Sequence, residues 1–379
     1  MNLLPHQVKF AQGYKDKDLI CHETGTGKTI CAAVWLHDKR DANALVICPK
    51  RVVEKWKKEL KDWDTKATVI SKENFKKMEI KKWSALIVDE ADEFASPLFL
   101  KSRSQLSTSL YNLVKEYPDM PVLLLTATPV RSSPWNLHTL LCFIGVYVPW
   151  KEWRSRYFAL QRRPFLTYMA WMAKSDWRQQ IRLELEKHAD IVLLKDCVAY
   201  LPEFTEEVVS VPSSPFVGDV NWEPSAAFVA EHRHEQENKA KEILEIANGY
   251  RKVMVVAYYR EQIADLEKKL SKDRQTFVVH GGIKKQEEIL KEANEADECF
   301  FIVQAGLGSG FDADSFSCVI FASQAYGVQK LVQMKGRTQR IHNLHDVKYI
   351  YLIGGRCDKA VKKSVDLGKD FVPAMWNMN

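Results

Sequence analysis

Short, nearly continuous apolar runs alternate with amphipathic stretches along this chain, and the alternation occurs twice. In the first half the runs are DLICHE (18–23), ALVICP (44–49), ATVIS (67–71), ALIVDE (85–90) and VLLLTAT (122–128). In the second half they are VMVVAYY (253–259), TFVVHG (276–281), CFFIVQA (299–305), CVIFAS (318–323) and KYIYLIG (348–354). Helical patterns such as RVVEKWKKELKDW (51–63) and EQIADLEKKL (261–270) separate them. Strands that stay apolar at every position, with helices between them, belong to parallel sheets covered on both faces. The pattern therefore predicts an α/β protein of two lobes. The natural break is SVPSSPFVGDVNWEP (210–224), rich in proline and serine. The expected division is a first lobe over 1–145, a basic, aromatic helical insertion with an exit segment over 146–200, a linker over 201–224 and a second lobe over 225–379.

Composition narrows the class. No apolar run is long enough to span a bilayer and no apolar leader opens the chain, so a cytoplasmic location without membrane contact is expected. The eight cysteines include no C-x-x-C pair and several lie in apolar runs, the pattern of buried free thiols rather than of a zinc site. Between Trp150 and Arg182 lie eight basic residues, two acids and eight aromatics, a surplus of +6 that equals the net charge of the whole chain. Positive charge mixed with flat rings suits a polyanion with stackable bases. An amphipathic helical subdomain with a solvated basic face gives the same composition, and both descriptions can hold.

The stretch ICHETGTGKTICAAVWL (20–36) places T-G-T-G-K-T between a strand and a helix. Strict phosphate-loop patterns want glycine six residues before the lysine, where this chain has His22. With strand, loop and helix in order, Thr24, Gly25, Thr26 and Gly27 would turn backbone N–H groups toward a phosphate at the positive end of the helix. Lys28 would reach the outer phosphates and the Thr29 hydroxyl would hold magnesium. Sixty-one residues beyond Lys28 comes ALIVDEADEF, which carries Asp89 and Glu90 out of a buried strand. At a strand's C-terminal edge Asp89 would contact the metal, through water, and Glu90 would orient and deprotonate the attacking water. Taken alone, the same acids would serve as an ordinary helix start.

These stretches resemble superfamily-two helicases: DEAD at 89–92 is their second motif and LLLTATPV (123–130) is similar to their third. Finer features resemble the Swi/Snf-type DNA translocases, namely LVICPKRVVEKWKKEL (45–60), LTATPVRSSPWNLHTLLCFI (125–144) and LLKDCVAYLPEFTEEVVSV (193–211). LPHQ (4–7) is similar to the start of their core, where glutamine reads adenine, so Gln7 takes that role by analogy. VQAGLGSGFDADSFSCVIF (303–321) and QMKGRTQRI (333–341) resemble motifs five and six. The resemblance covers about residues 3–355. It implies two tandem RecA-like parallel-sheet lobes, ATP and magnesium as cofactors, and nucleotide contacts from Gly310 and Asp312. Arg337 and Arg340 would be arginine fingers, worth roughly 10³–10⁵ in rate in related phosphoryl transfers. His22 departs from the family pattern, as do Arg131, Ser132 and Ser133 after the third motif, and the large insertions of eukaryotic remodellers have no counterpart.

What the resemblance implies for function is a DNA-dependent ATPase, a monomeric motor on duplex, forked or junction DNA, in recombination, replication or repair. A bacterial cell or a phage-infected host is the expected setting. An RNA helicase, a non-hydrolysing clamp, or the motor subunit of a multi-chain restriction system are the alternatives. A motor indifferent to sequence grips phosphates rather than bases. Candidate gripping groups are Lys50 and Arg51, Ser71, Gly281 and Gly282, and the amides from Gly306 onward. Arg162 and Arg163 would meet a fork or junction. Charge reversal at those two arginines is expected to weaken branched-DNA binding and flatten its salt dependence.

Overall fold

The computed structural model describes residues 3–367, apart from 40–42, 100–103, 131–132, 163–168, 198–201, 214–223, 284, 308–311 and 340–344. The chain divides into two compact units, Met1–Ala199 and Tyr200–Asn379.

Unit one opens with α1 (Pro5–Gly13), β1 (Lys17–His22), α2 (Lys28–Lys39) and β2 (Ala44–Cys48). It continues through α3 (Val53–Asp62), β3 (Ala67–Ser71), α4 (Lys72–Phe75), β4 (Ala85–Asp89), α5 (Gln105–Glu116), β5 (Val122–Leu125) and α6 (Trp135–Phe143). It ends with α7 (Trp150–Tyr157), β6 (Phe158–Arg162), β7 (Met169–Ala173), α8 (Trp177–His188) and β8 (Asp190–Val192). The main sheet runs β3-β2-β4-β5-β1-β8, every pair parallel. Successive residues of a strand point to opposite faces, and both faces are filled. Leu45, Ile47, Leu86, Val88 and Leu124 join one core, while Val46, Ile87, Leu123 and Leu125 join the other. That is why these strands read as unbroken apolar runs.

Unit two contains β9 (Phe204–Ser210), α9 (Pro224–Ala247), β10 (Lys252–Ala257), α10 (Arg260–Leu270), β11 (Thr276–Val279), α11 (Gln286–Glu295) and β12 (Cys299–Gln304). β13 (Cys318–Phe321), α12 (Val328–Lys335), β14 (Val347–Ile353) and α13 (Arg356–Asp366) complete it. Its sheet is β11-β12-β10-β13-β14-β9, again wholly parallel and again covered by one core on each face. Two parallel-sheet lobes, the architecture expected from the alternation, are present.

Two expectations need correction. The insertion is not purely helical: between α7 and α8 it folds back as the antiparallel hairpin β6–β7. The stretch from 201 is not all linker, because Phe204–Ser210 pairs along its length with Val347–Ile353. Its pattern escapes an apolar-run search because edge strands are half solvated, and four of its seven residues in a row are exposed. β8 is a second edge strand missed. The eight cysteines are free thiols, seven of them buried. Among the described residues no helix is long and apolar enough to cross a membrane.

Candidate nucleotide site and nucleic-acid face

At the C-terminal edge of the first sheet, β1 ends at His22 and α2 begins at Lys28. The intervening turn requires glycine twice: Gly25 has φ +88° and Gly27 has φ +83°, conformations that side chains rarely adopt. Space repeats the demand at Gly27, where a Cβ would lie 2.5 Å from the Gln7 Nε2. Thr26 is buried, its Oγ1 donating to the Glu23 carbonyl at 2.8 Å. Its own carbonyl accepts from Gln7 Nε2 at 3.4 Å and pairs with His6 Nε2 at 2.9 Å. The Lys28 ammonium folds over the loop and donates to the carbonyls of His22 (2.8 Å) and Glu23 (3.1 Å). Thr29 sits half-buried in the first turn of α2. Gln7 is buried, with its amide oxygen accepting from the Leu4 N–H at 2.9 Å. In this structure its side chain fastens the loop.

His22, the departure from the strict pattern, has a structural partner. Its Nε2 meets Asp190 Oδ2 of β8 at 2.7 Å, and the ring is fully enclosed. Burial holds its pKa below the ordinary 6.5, against the raising effect of Asp190. Next to it the Glu23 N–H donates to the Val192 carbonyl at 2.9 Å, and the Glu23 carboxylate accepts from the Leu194 N–H at 2.7 Å. The loop's first corner is thus tied three times to the segment that leaves the lobe. No pattern in the sequence pointed to Asp190, because the partners lie 168 residues apart.

Asp89 closes β4 two strands away. Its Oδ2 accepts from the Trp56 indole at 2.9 Å and its Oδ1 from the Glu90 N–H at 3.0 Å. Desolvation pushes the carboxyl upward, and the Trp56 N–H and the Lys28 charge oppose that shift. Glu90 adopts φ +51°, ψ +50°, a left-handed conformation rare for a residue with a side chain and strained by about 1 kcal/mol or more. Strain of this kind concentrates at functional positions. Asp92, third after Asp89, is buried and accepts from Thr126 Oγ1 at 2.9 Å and Thr128 Oγ1 at 3.3 Å. A direct link therefore runs from the acidic strand to the threonines after β5. Trp56 and Asp92 were visible in the sequence, but only tertiary contact shows what they hold.

These residues fit a magnesium-bound triphosphate. Glycine amides, a lysine and a helix N-terminus face one edge, and a desolvated carboxylate with the Thr29 hydroxyl supplies the hard oxygen donors that magnesium takes. Of the gripping candidates on this edge, Lys50 and Arg51 are exposed on the turn after β2. Ser71 is buried and accepts from the Asn74 N–H at 3.3 Å, capping α4. That bond gives Ser71 a structural role in place of an open one.

In unit two the turn after β11 is closed by side chains: the Gly281 N–H donates to Gln304 Oε1 and the Gly282 N–H to His280 Nδ1, each at 3.1 Å. The Arg260 guanidinium lies within 3.7 Å of where a Gly281 Cβ would stand, and Lys330 Nζ within 4.0 Å of that place at Gly306. The expected glycines thus share the C-terminal edge of the second sheet with two cations. Arg337 follows α12 and is buried, its Nε donating to the Gln333 carbonyl at 3.1 Å. The Asp312 carbonyl accepts from the Asn294 amide at 3.2 Å. Gly310, Arg340, Arg163, Arg131 and Ser132 lie outside the described residues, and Arg162 is described in its backbone only.

Comparison with known proteins agrees with the second unit in particular. The family described as the helicase conserved C-terminal domain matches residues 236–342. Over 322 residues the chain is 24% identical to Chromodomain-helicase-DNA-binding protein 1-like from Mus musculus, which covers 72% of this chain and 34% of that protein. The chain therefore spans about a third of the length of that curated relative. A solved structure, the Sulfolobus solfataricus SWI2/SNF2 ATPase core in complex with dsDNA, is similar at TM-score 0.45 and 15% identity, over 99% of this chain and 93% of that one.

Proposed function

We propose that this chain, a superfamily-two helicase with Swi/Snf-type motifs, is an ATP-dependent DNA translocase. The observation that carries the reading is the first sheet's edge. There a two-glycine turn, Lys28 and the Asp89–Glu90 pair stand together, with Asp92 joining the acids to Thr126 and Thr128. On binding, the phosphates take Lys28 from the loop carbonyls. Thr29 and Asp89 would hold magnesium, which would neutralise phosphate charge. Glu90 positions and deprotonates the attacking water, and Arg337 and Arg340 of the second unit keep the arginine-finger role that the resemblance implies. Gain and loss of that phosphate shifts the Asp92–Thr126–Thr128 contacts, a local change that a motor converts into movement. Lys50, Arg51, Gly281, Gly282 and Gly306 grip the DNA backbone. Duplex or branched DNA is the track, and recombination, replication or repair the setting.

ATP hydrolysis measured with single-stranded DNA, blunt duplex, fork, four-way junction and RNA tests this. Stimulation by DNA over RNA is expected, and stimulation by RNA alone would assign the chain to RNA instead. E90Q should still bind ATP and DNA while turnover falls by about 10² or more, the usual worth of a general base. Normal turnover in E90Q would remove Glu90 from the chemistry.

A further inference from the structure

The hairpin β6–β7 carries an apolar face that continues beyond the core. Its register pairs Phe158 with Ala173, Leu160 with Trp171 and Arg162 with Met169, so Phe158, Leu160, Met169 and Trp171 share one face. At the base Phe158 is buried and stacked on Trp135, ring centroids 4.6 Å apart. Farther out, Leu160, Met169 and Trp171 are 49%, 50% and 44% exposed. Trp171 is nevertheless held in place. The Arg154 guanidinium lies 4.2 Å from its ring centroid and 4.7 Å from that of Trp150, a cation between two indoles. One side of Trp171 therefore faces Arg154, and the residue remains 44% exposed.

Charge says what covers this face. The segment Trp150–Arg182 has eight basic residues and two acids in its sequence; Glu152 pairs with Arg156, Asp176 accepts from the Gln180 amide, and Arg182 pairs with Glu186 just beyond the segment. An apolar protein partner would have no use for a cationic surround. A polyanion that also offers flat apolar rings satisfies both features. Paired bases are already stacked on each other, so the matching occupant is a base that has left its partner.

We propose that Trp171 is a stacking site for an unpaired nucleic-acid base, with Leu160 and Met169 flanking it and Arg154 fixing the ring while adding charge toward the phosphates. The site rests on the DNA reading above and adds a specific preference to it, for strands with an unpaired stretch such as a fork arm.

Fluorescence anisotropy with a forked DNA and a blunt duplex of equal length decides the matter, using the full chain and the variants W171A and W171F. W171A is expected to weaken fork binding about tenfold, the size of one lost base–ring stack, and to change blunt-duplex binding by less than about twofold. W171F, which keeps an aromatic face, should recover most of the loss. Equal weakening on both DNAs, unchanged fork binding, or a W171F as poor as W171A would each overturn the site. Loss of self-association in W171A with fork binding intact would give the face to a second copy, and overturn it too. Wild-type ATPase stimulation by blunt duplex reports separately on the motor. If stimulation is present while W171A matches wild type on the fork, only the stacking site falls. If the wild type binds no DNA, both readings fall.

Discussion

His22 shows how much one residue can mislead and then inform. A strict pattern rejects the loop because His22 stands where glycine is wanted, yet Gly25 and Gly27 make the turn and His22 is used elsewhere, against Asp190. Its titration gives a prediction. The ring is enclosed and held below 6.5 by burial, with Asp190, Lys28 and His6 as the charged or titratable groups facing it. Above 6.5 the ring is neutral folded or unfolded. Below that, the unfolded chain takes a proton that the folded chain resists, so stability present at higher pH is lost as pH falls toward the depressed folded value. The melting temperature should therefore drop between roughly pH 7.5 and 5.5, and H22Q should drop less over the same range. His138 is depressed by burial in the same direction, so H22Q should reduce the slope without abolishing it. Equal slopes would mean that His22 is not the titrating group. The loop glycines, Lys28 and the Asp89–Glu90 pair were legible from the sequence because their spacing is local. The Trp56 and Asp190 contacts were not, because nothing in a linear pattern encodes a partner tens of residues away.

At the scale of elements, the central strands and the edge strands β3 and β11 followed from periodicity, and the edge strands β8 and β9 did not. β8 and β9 pair on one side only; β8 is three residues long with none fully buried, and β9 has four exposed residues in a row. α9 illustrates a different device. Its Lys239 is fully buried between Glu235, at 3.1 Å, and Asp358 of α13, at 2.5 Å. The Gly354 N–H donates to Asp358 at 3.0 Å, and the Gly355 N–H donates to Glu235. The cluster fastens α9 to the end of β14 through charge and backbone amides. Removing the cation would leave two buried carboxylates facing each other, so K239M should destabilise the chain by about 3–5 kcal/mol in urea unfolding. Adding E235Q should recover part of that loss, because the glutamine oxygen can still accept from Gly355. A K239M that unfolds like the wild type would show the cluster to be open to water.

For the whole molecule, two separate pairs of cores imply that each unit contains what it needs to fold. The position of β9 makes this testable. Cutting at the proline- and serine-rich break would leave the second sheet without an edge strand that pairs in register along seven residues. A fragment covering 201–367 should therefore be more stable than one covering 212–367, by roughly 2 kcal/mol or more if each lost cross-strand pair counts a few tenths. Equal melting of the two fragments would place β9 outside the cooperative unit.

By itself the sequence determined the class of fold and the place of the two-glycine turn between β1 and α2. Burial on both faces forces a strand to be apolar throughout, and a tight turn is built from neighbours along the chain. Only the tertiary structure decided where the second unit begins, that the insertion folds back as a hairpin, and which distant groups hold His22 and Asp89. Those outcomes depend on pairings between segments far apart in the chain, whose energies no local pattern records.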